Sequence, residues 1–378
     1  MPWKEESTMS LREAFIEQAL EEGANISELC RCYAISRKTG YKWLARYRQG
    51  GQAGLSDASR RPKHSPKRTP AGVEAVLVEV RQAHPTWSGY KIKASLQRTG
   101  REDLPAHSTI NAILKRQGQI DPQASQKHQA FQRFEQERPN QLWQMDFKGH
   151  FALTAGGRCH PLTVLDDHSR FLLGLRACAD ETHATVHAHL TSIFRQYGLP
   201  ERMLMDNGSP WGKDRDTPYT ALGAWLIRLG ILLSHGRPYH PQTQGKDERL
   251  HRTLQEDVLD RQALTNLLDS QQYFDLWREI YNHQRPHAAL QMAVPADRYS
   301  PSPRPFPQQL PPILYDPGYI VRRVDVGGQI SFHNRIFHVG KAFRQSPVAL
   351  LPIEPDGDFA VFFCQQEIAH ISLRVDNG

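Results

Sequence analysis

The spacing of apolar positions changes three times along the chain. From Ser10, Leu11, Phe15, Ile16, Ala19 and Leu20 recur at helical intervals until Gly23, which predicts a helix opened by a Ser10/Glu13 capping box. A short helix over Ile26–Tyr33, a tight turn at Ala34–Ile35 and a third helix capped by Ser36 follow, with Trp43, Leu44 and Tyr47 on the inner stripe. The exposed start of the third helix carries Arg37, Lys38, Thr39 and Lys42. A short helix, a turn and a basic-fronted helix make a helix-turn-helix, whose recognition helix enters the major groove by its N-terminal end. A helical bundle used only for dimerisation would show the same periodicity. Thr69 to Gln117 repeats the pattern: Thr69–Pro70 opens one helix with Val73, Val76, Leu77 and Val80 inside, a second holds Tyr90, Ile92, Ala94 and Leu96, and Ser108 caps a third through Ile110, Ile113 and Leu114.

From Asn140 the period becomes two. Trp143, Met145 and Phe147 alternate with Gln144, Asp146 and Lys148, which puts Asp146 on the face opposite the large apolar side chains. A turn at Ala155–Arg158 and a corner at Asp166–Ser169 separate two further strands, His160–Leu165 and Arg170–Ala177. A helix (Thr182–Tyr197), a buried strand (Met203–Met205), a helix (Tyr219–Leu229), a strand (Ile231–Ser234) and a long helix from Gly245 complete the order βββαβαβα. Three antiparallel strands followed by parallel crossovers predict a mixed five-stranded sheet with helices on both faces.

Ser300 to Pro312 is rich in proline and reads as a stiff extended linker rather than a packed element. Beyond it, short strands recur over Tyr319–Val324, Gln329–Phe332, Arg335–Val339, Val348–Pro352, Phe359–Cys364 and Glu367–Leu373, which predicts a small SH3-like β-barrel. The predicted divisions are a helix-turn-helix domain (1–55), a basic linker (56–68), a second helix-turn-helix-like domain (69–118), a linker (119–138), an α/β core (139–299), the Pro-rich linker (300–312) and the barrel (313–378).

Length and charge sharpen this outline. A chain of 378 residues exceeds what a single core supports. No apolar run is long enough to span a membrane and no signal peptide opens the chain, so a cytoplasmic protein is expected. Five scattered Cys argue against a disulfide framework, and Cys30 and Cys32 lack the partner pair of a zinc finger. The net charge of +7 lies wholly in the front third: 23 basic against 15 acidic residues up to Arg138, then 24 against 25. Its densest part is Arg60, Arg61, Lys63, Lys67 and Arg68 between prolines. Such a strip suits phosphate tracking between two DNA-reading units, and a solvated linker would carry the same charge.

Three carboxylates stand at informative places. Asp146 is mid-strand, Asp206 ends a strand where open sheets bind ligands, and Glu248 lies in the first turn of a helix. Acidic oxygens from two strand ends and a helix start suit a hard divalent cation. Two such ions would activate a water or hydroxyl and stabilise the leaving oxygen of a phosphodiester displacement. Each acid alone has a plainer reading: Asp before Asn–Gly is a common turn former, and Glu in a first turn complements the helix dipole. Asp247 points about 100° away from Glu248 on a helix and reads as a decoy. Asp166 and Asp167 read as formers of their corner, from which one of them can approach the metals.

Trp143-Gln-Met-Asp146, Asp206-Asn-Gly208 and Pro241-Gln-Thr-Gln-Gly-Lys-Asp-Glu248-Arg resemble the three acidic motifs of DDE transposases from bacterial insertion sequences, whose catalytic core is retroviral-integrase-like. Tyr281-Asn-His-Gln-Arg-Pro-His287 resembles the stretch that closes that core. The resemblance spans roughly Pro139 to Tyr299. It implies an RNase H-like fold binding two Mg²⁺ or Mn²⁺ through Asp146, Asp206 and Glu248, with 3′-end cleavage of element DNA and strand transfer into a target. Gln242, Gln244, Lys246 and Arg249 surround Glu248 and are candidates for contact with the DNA end. For the last domain the resemblance implies a DNA-binding or assembly module with Arg322, Arg323, Arg335, Lys341 and Arg344 as candidates, where a docking domain touching only protein is the other reading. Arg285 and His287 either bridge core and DNA or cap the last helix. The 41 residues between Asp206 and Glu248 exceed the family's usual interval, and a charged loop at Trp211–Tyr219 would absorb the excess. The expected partners are double-stranded DNA, both element ends and target, and further copies of the chain as a homodimer or larger assembly on the nucleoid. A catalytically silent DNA-binding regulator of the same ancestry and a structure-selective nuclease are the other readings.

Overall fold

The computed structural model describes residues 7–57, 68–120, 135–206, 219–235 and 245–374. The molecule divides into two compact units, 1–68 and 69–378.

The first unit is three helices, α1 (Thr8–Ala19), α2 (Ile26–Cys32) and α3 (Arg37–Gly50), closed by a single 3₁₀ turn at Gly51–Leu55. Ser36 caps α3, its Oγ accepting from Thr39 N at 3.2 Å. The cap of α1 is Ser7 rather than Ser10: Ser10 N donates to Ser7 Oγ at 3.1 Å. Phe15, Ile16, Cys30, Trp43, Leu44 and Leu55 form the core. Gly40 allows the close crossing, since a Cβ there would stand 2.5 Å from Cys30 Sγ and 2.9 Å from Phe15 Cζ. Cys30 is thus a small core side chain and Cys32 an exposed one, and neither is disulfide-bonded.

The second unit opens with α4 (Ala71–Ala83), α5 (Gly89–Arg98) and α6 (His107–Arg116), packed through Val73, Leu77, Trp87, Ile92, Ile110, Ile113 and Leu114. Ser108 is not a cap: α6 begins at His107 after Ala106 and has no side-chain cap. These helices dock on the rest of the unit. Ile280 packs against their core, Arg98 and Asp297 form a bidentate pair at 2.7 and 3.2 Å, and Thr86 Oγ1 donates to Asp257 Oδ1 at 2.7 Å.

The sheet is mixed. β1 (Leu142–Phe147) pairs antiparallel with β3 (Arg158–Asp166), β3 pairs antiparallel with β4 (Leu172–Cys178), and β1 and β6 (Leu232–His235) flank β5 (Arg202–Met205) in parallel. The five expected strands are joined by a two-residue β2 (Phe151–Ala152), which pairs with the start of β3. One face, with Trp143, Met145, Leu162 and Val164, lies under α7 (His183–Tyr197) and α8 (Ala221–Arg228). The other, with Leu165, Leu172 and Leu175, lies under α9 (Gly245–Leu254) and α10 (Leu267–His283). Each Leu or Phe so buried contributes about 1.5–3 kcal/mol. Among the described residues no helix is long and apolar enough to cross a membrane.

The proline-rich segment is extended as expected, yet it is packed on the core rather than free. Proline offers no N–H, so the fastening falls to its neighbours. Ser302 N donates to Tyr197 O at 2.8 Å, and the Arg304 guanidinium reaches the carbonyls of Pro200, Leu229 and Gly230 at 2.7–3.0 Å. The last domain is all antiparallel. β7 (Ile320–Arg323), β10 (Pro347–Ile353), β11 (Asp358–Phe363) and β12 (Gln366–Ser372) form one sheet in the order 12-11-10-7, and β8 (Gln329–Phe332) pairs only with β9 (Arg335–His338). Among the described residues this is not the closed barrel expected. Asp325–Gly328 turns the chain out of the large sheet, so the β8–β9 hairpin packs through buried Ile330 and Phe332 instead of bonding to an edge.

Candidate active site

Asp146 sits near the C-terminal end of β1, and Asp206 directly follows β5, the parallel neighbour of β1. Parallel pairing therefore brings both acids to one edge of the sheet, on the side where open α/β sheets bind ligands. Asp146 is half-buried, and its carboxyl is pushed up to about 7, first by burial and then by the charge of Asp206.

α9 crosses this edge with its first turn. Its inner face is set by Leu250 and Leu254, both buried, which carries Asp247 and His251 inward at positions i and i+4. Asp247 is 2% exposed, whereas Glu248 is exposed on the flank of the helix. Sequence spacing cast Asp247 as a decoy, yet it is the buried acid of α9, and the charge of Asp146 acts on it. Burial first, then the charges of Asp146 and Asp167, holds its carboxyl well above the usual range, and its Oδ1 has no hydrogen-bond partner. The stripe 247, 250, 251, 254 and 258 is the signal in the sequence that marks it as inward.

His251 brings its Nδ1 to 3.9 Å from Asp146 Oδ2. Thr163 Oγ1 donates to Asp146 O at 3.0 Å and therefore accepts from His251 Nε2 at 2.9 Å. That fixes the tautomer, with Nδ1 unprotonated toward Asp146. Burial, followed by Lys148, lowers the imidazole to about 4, so the contact is with a neutral ring and is not an ion pair.

Asp166 and Asp167 divide the roles foreseen for their corner. Asp166 accepts from Asn140 N at 2.7 Å and from Ser169 N and Oγ at 2.8 and 2.6 Å, which closes the turn. Asp167 is fully buried and anchors the start of α9: it pairs with Lys246 Nζ and accepts from Gln144 Nε2 at 2.7 Å and Gln136 N at 2.9 Å. Lys246 is accordingly turned inward, while Arg249 is exposed beside Glu248. Gln242 and Gln244, Asn207 and Gly208, and the loop expected at Trp211–Tyr219 up to residue 218 lie outside the described residues, as do Arg60, Arg61, Lys63 and Lys67; Arg68 is exposed. At the recognition helix Arg37, Lys38 and Lys42 are exposed, and Thr39 Oγ1 shares a 2.9 Å hydrogen bond with Ser36. Arg285 donates to Asp257 Oδ2 at 3.0 Å and to Thr86 Oγ1 at 3.3 Å, so it ties the segment between α4 and α5 to the turn after α9. Among the described residues no three His, Cys, Asp or Glu side chains converge closely enough to hold a metal ion.

The chain matches known families over most of its length. Residues 136–241 and 229–295 match integrase core domains. Residues 11–63 match a helix-turn-helix domain, 39–114 a homeodomain-like domain, and 319–378 the C-terminal domain of IS481 family transposases. The chain is similar in several of its parts to insertion-sequence transposases that carry an integrase-like core. Two curated relatives are an insertion element IS407 uncharacterized 31.7 kDa protein of Burkholderia multivorans and the transposase for transposon Tn552 of Staphylococcus aureus. The first is 26% identical over 159 residues, covering 42% of this chain and 55% of the relative. The second is 24% identical over 314 residues, covering 73% and 63%. The chain thus spans between half and two thirds of the length of these relatives. The solved catalytic core domain of HTLV-2 integrase in complex with magnesium is 14% identical, covers 43% of this chain and 97% of that one, and has a TM-score of 0.32.

Proposed function

We propose that the chain binds the terminal inverted repeats of its element and catalyses metal-dependent 3′-end cleavage and strand transfer into target DNA. The observation that carries this reading is the pairing of Asp146 and Asp206 at one sheet edge, with the acid-bearing first turn of α9 against it. All the donors are carboxylate oxygens, and the mutual repulsion of the pair fits a hard divalent cation. Asp146, Asp206 and Glu248 would hold Mg²⁺ or Mn²⁺, two ions in all. When bound, such ions supply polarisation of the attacking oxygen and neutralisation of charge at the leaving oxygen of a phosphodiester.

The chain's own residues set the stage for that chemistry. Parallel β1 and β5 fix the spacing of the two Asp backbones, and Asp167 with Lys246 fixes the N-terminus of α9 over them. His251, held neutral and tethered to Thr163, limits how Asp146 can turn. Exposed Arg37, Lys38 and Lys42 on α3 would meet the major groove with Thr39 beside them, the strip from Arg60 to Arg68 would follow phosphates, and Gln242, Gln244 and Arg249 would meet the DNA end, while Lys246 is held on Asp167. The division into two DNA-reading domains (1–55 and 69–118), an RNase H-like core (139–299) and a C-terminal domain of antiparallel sheets (313–378) belongs to the same proposal. So do an assembly of two or more copies and action in the cytoplasm on nucleoid DNA.

The test is incubation of the purified chain with a labelled duplex carrying its element's flanked end, in Mg²⁺, Mn²⁺ or chelator. Nicking at the 3′ end that needs metal and vanishes in Glu248→Gln is expected. Tight end binding without cleavage in either metal would leave a regulator instead.

A further inference from the structure

We infer that Asp247 is a fourth carboxylate of this site, holding a divalent cation jointly with Asp146 from the inner face of α9. The inference rests on the proposed metal-dependent reading and adds a residue to it.

Three observations converge. Leu250 and Leu254 fix which side of α9 faces the sheet, and Asp247 lies on that side, one turn before the His251 ring that stands 3.9 Å from Asp146. Asp247 is 2% exposed, so its carboxyl has no access to bulk water. Its Oδ1 nevertheless has no hydrogen-bond partner, although buried polar atoms are nearly always satisfied. The charges nearest to it are the acids Asp146 and Asp167 and the cations Lys246 and Arg170. Lys246 is engaged with Asp167, and Arg170 Nη2 turns to Glu135 at 3.6 Å while its Nη1 is buried without a hydrogen-bond partner. A buried carboxyl on the face of α9 turned to the sheet, with an open oxygen and two acids among the charges acting on it, has the chemistry of a ligand for a hard cation. A residue placed there only for packing would be expected to be apolar, like Leu250 and Leu254 on the same stripe.

The experiment is titration of the full chain with Mn²⁺, read by calorimetry and by the Mn²⁺-induced rise in melting temperature, for the unsubstituted protein, Asp247→Asn, Glu248→Gln and Asp146→Asn. Asp247→Asn, which keeps the shape, should weaken Mn²⁺ binding about tenfold or more and shrink the thermal shift, while melting without metal stays the same or rises. Asp247→Glu should retain binding within a few-fold, which a purely packed side chain would not explain. Should Asp247→Asn bind Mn²⁺ as the unsubstituted chain does while Asp146→Asn and Glu248→Gln lose it, the inference falls and the metal-dependent reading stands. If the unsubstituted chain takes up no Mn²⁺, both fall together.

Discussion

Asp257 joins helices α4–α6 to the body of the mixed sheet, and its removal should be felt throughout the unit. It lies in the π-helical turn Gln255–Leu259 after α9. It accepts from Thr86 Oγ1 at 2.7 Å, Arg285 Nη1 at 3.0 Å and Trp277 Nε1 at 3.1 Å. The side chains of Asp257 and Arg285 are only 15% and 8% exposed. Asp257→Ala removes three hydrogen bonds to a charged acceptor and leaves Arg285 buried without its counter-charge. Breaking such a pair from one side costs about 3–5 kcal/mol, so about 3 kcal/mol is expected after partial hydration of the vacated space. Arg285→Met should cost a similar amount. The double substitution should cost clearly less than the sum, with a coupling of about 1.5 kcal/mol or more. Urea denaturation of the four proteins measures the cycle, and limited proteolysis between α6 and β1 should speed up in Asp257→Ala as the helices loosen. A loss below about 0.5 kcal/mol for Asp257→Ala, or strict additivity of the pair, would refute the idea that this acid fastens the helices to the core.

Other substitutions test separate links. Gly40→Ala places a methyl 2.5 Å from Cys30 Sγ and should destabilise the first unit by about 1–3 kcal/mol, read as a lower thermal midpoint for that unit; an unchanged midpoint would contradict the close crossing. Lys246→Met strands the fully buried Asp167 and should fray the start of α9, seen as faster amide exchange from Asp247 to Leu250 than in the unsubstituted chain. Asp146 titrates near 7 in the folded state against about 4 when unfolded. Between those values the folded chain keeps a proton that the unfolded chain has lost, so metal-free stability should fall as pH rises through the window. Divalent-cation binding needs the carboxylate and should strengthen over the same range; Asp146→Asn should flatten both profiles, and persistence of either slope would assign it to another group.

The sheet was largely legible because period-two alternation is local: Trp143 and Met145 are buried together as their spacing predicts, and β8 runs over the predicted residues. Caps were legible where one candidate stood alone, as at Ser36. They were misread where two serines competed, because Ser7 and Ser10 can both precede α1 and only helix geometry chooses between them. The barrel expectation failed for a related reason, since six strands in sequence do not say which edges bond. In the candidate site Asp206 follows a strand and Glu248 lies in the first turn of a helix as read, and Asp146 stands near the end of its strand rather than in its middle, but the inward acid of α9 was missed by attending to its neighbour. The stripe through Leu250 and Leu254 carried that information. The Asp257 contacts join residues 86, 257, 277 and 285, and no local pattern announces a meeting over such separations.

Joining tests the central claim most directly. A duplex with a pre-cut 3′-hydroxyl element end would be mixed with supercoiled plasmid, the chain and Mg²⁺, beside Asp146→Asn and Asp206→Asn. Covalent attachment of the labelled end to plasmid by the unsubstituted chain, absent in both variants although they still bind the end, is the predicted result. End binding without joining in Mg²⁺ or Mn²⁺, or joining that survives either substitution, would contradict the account.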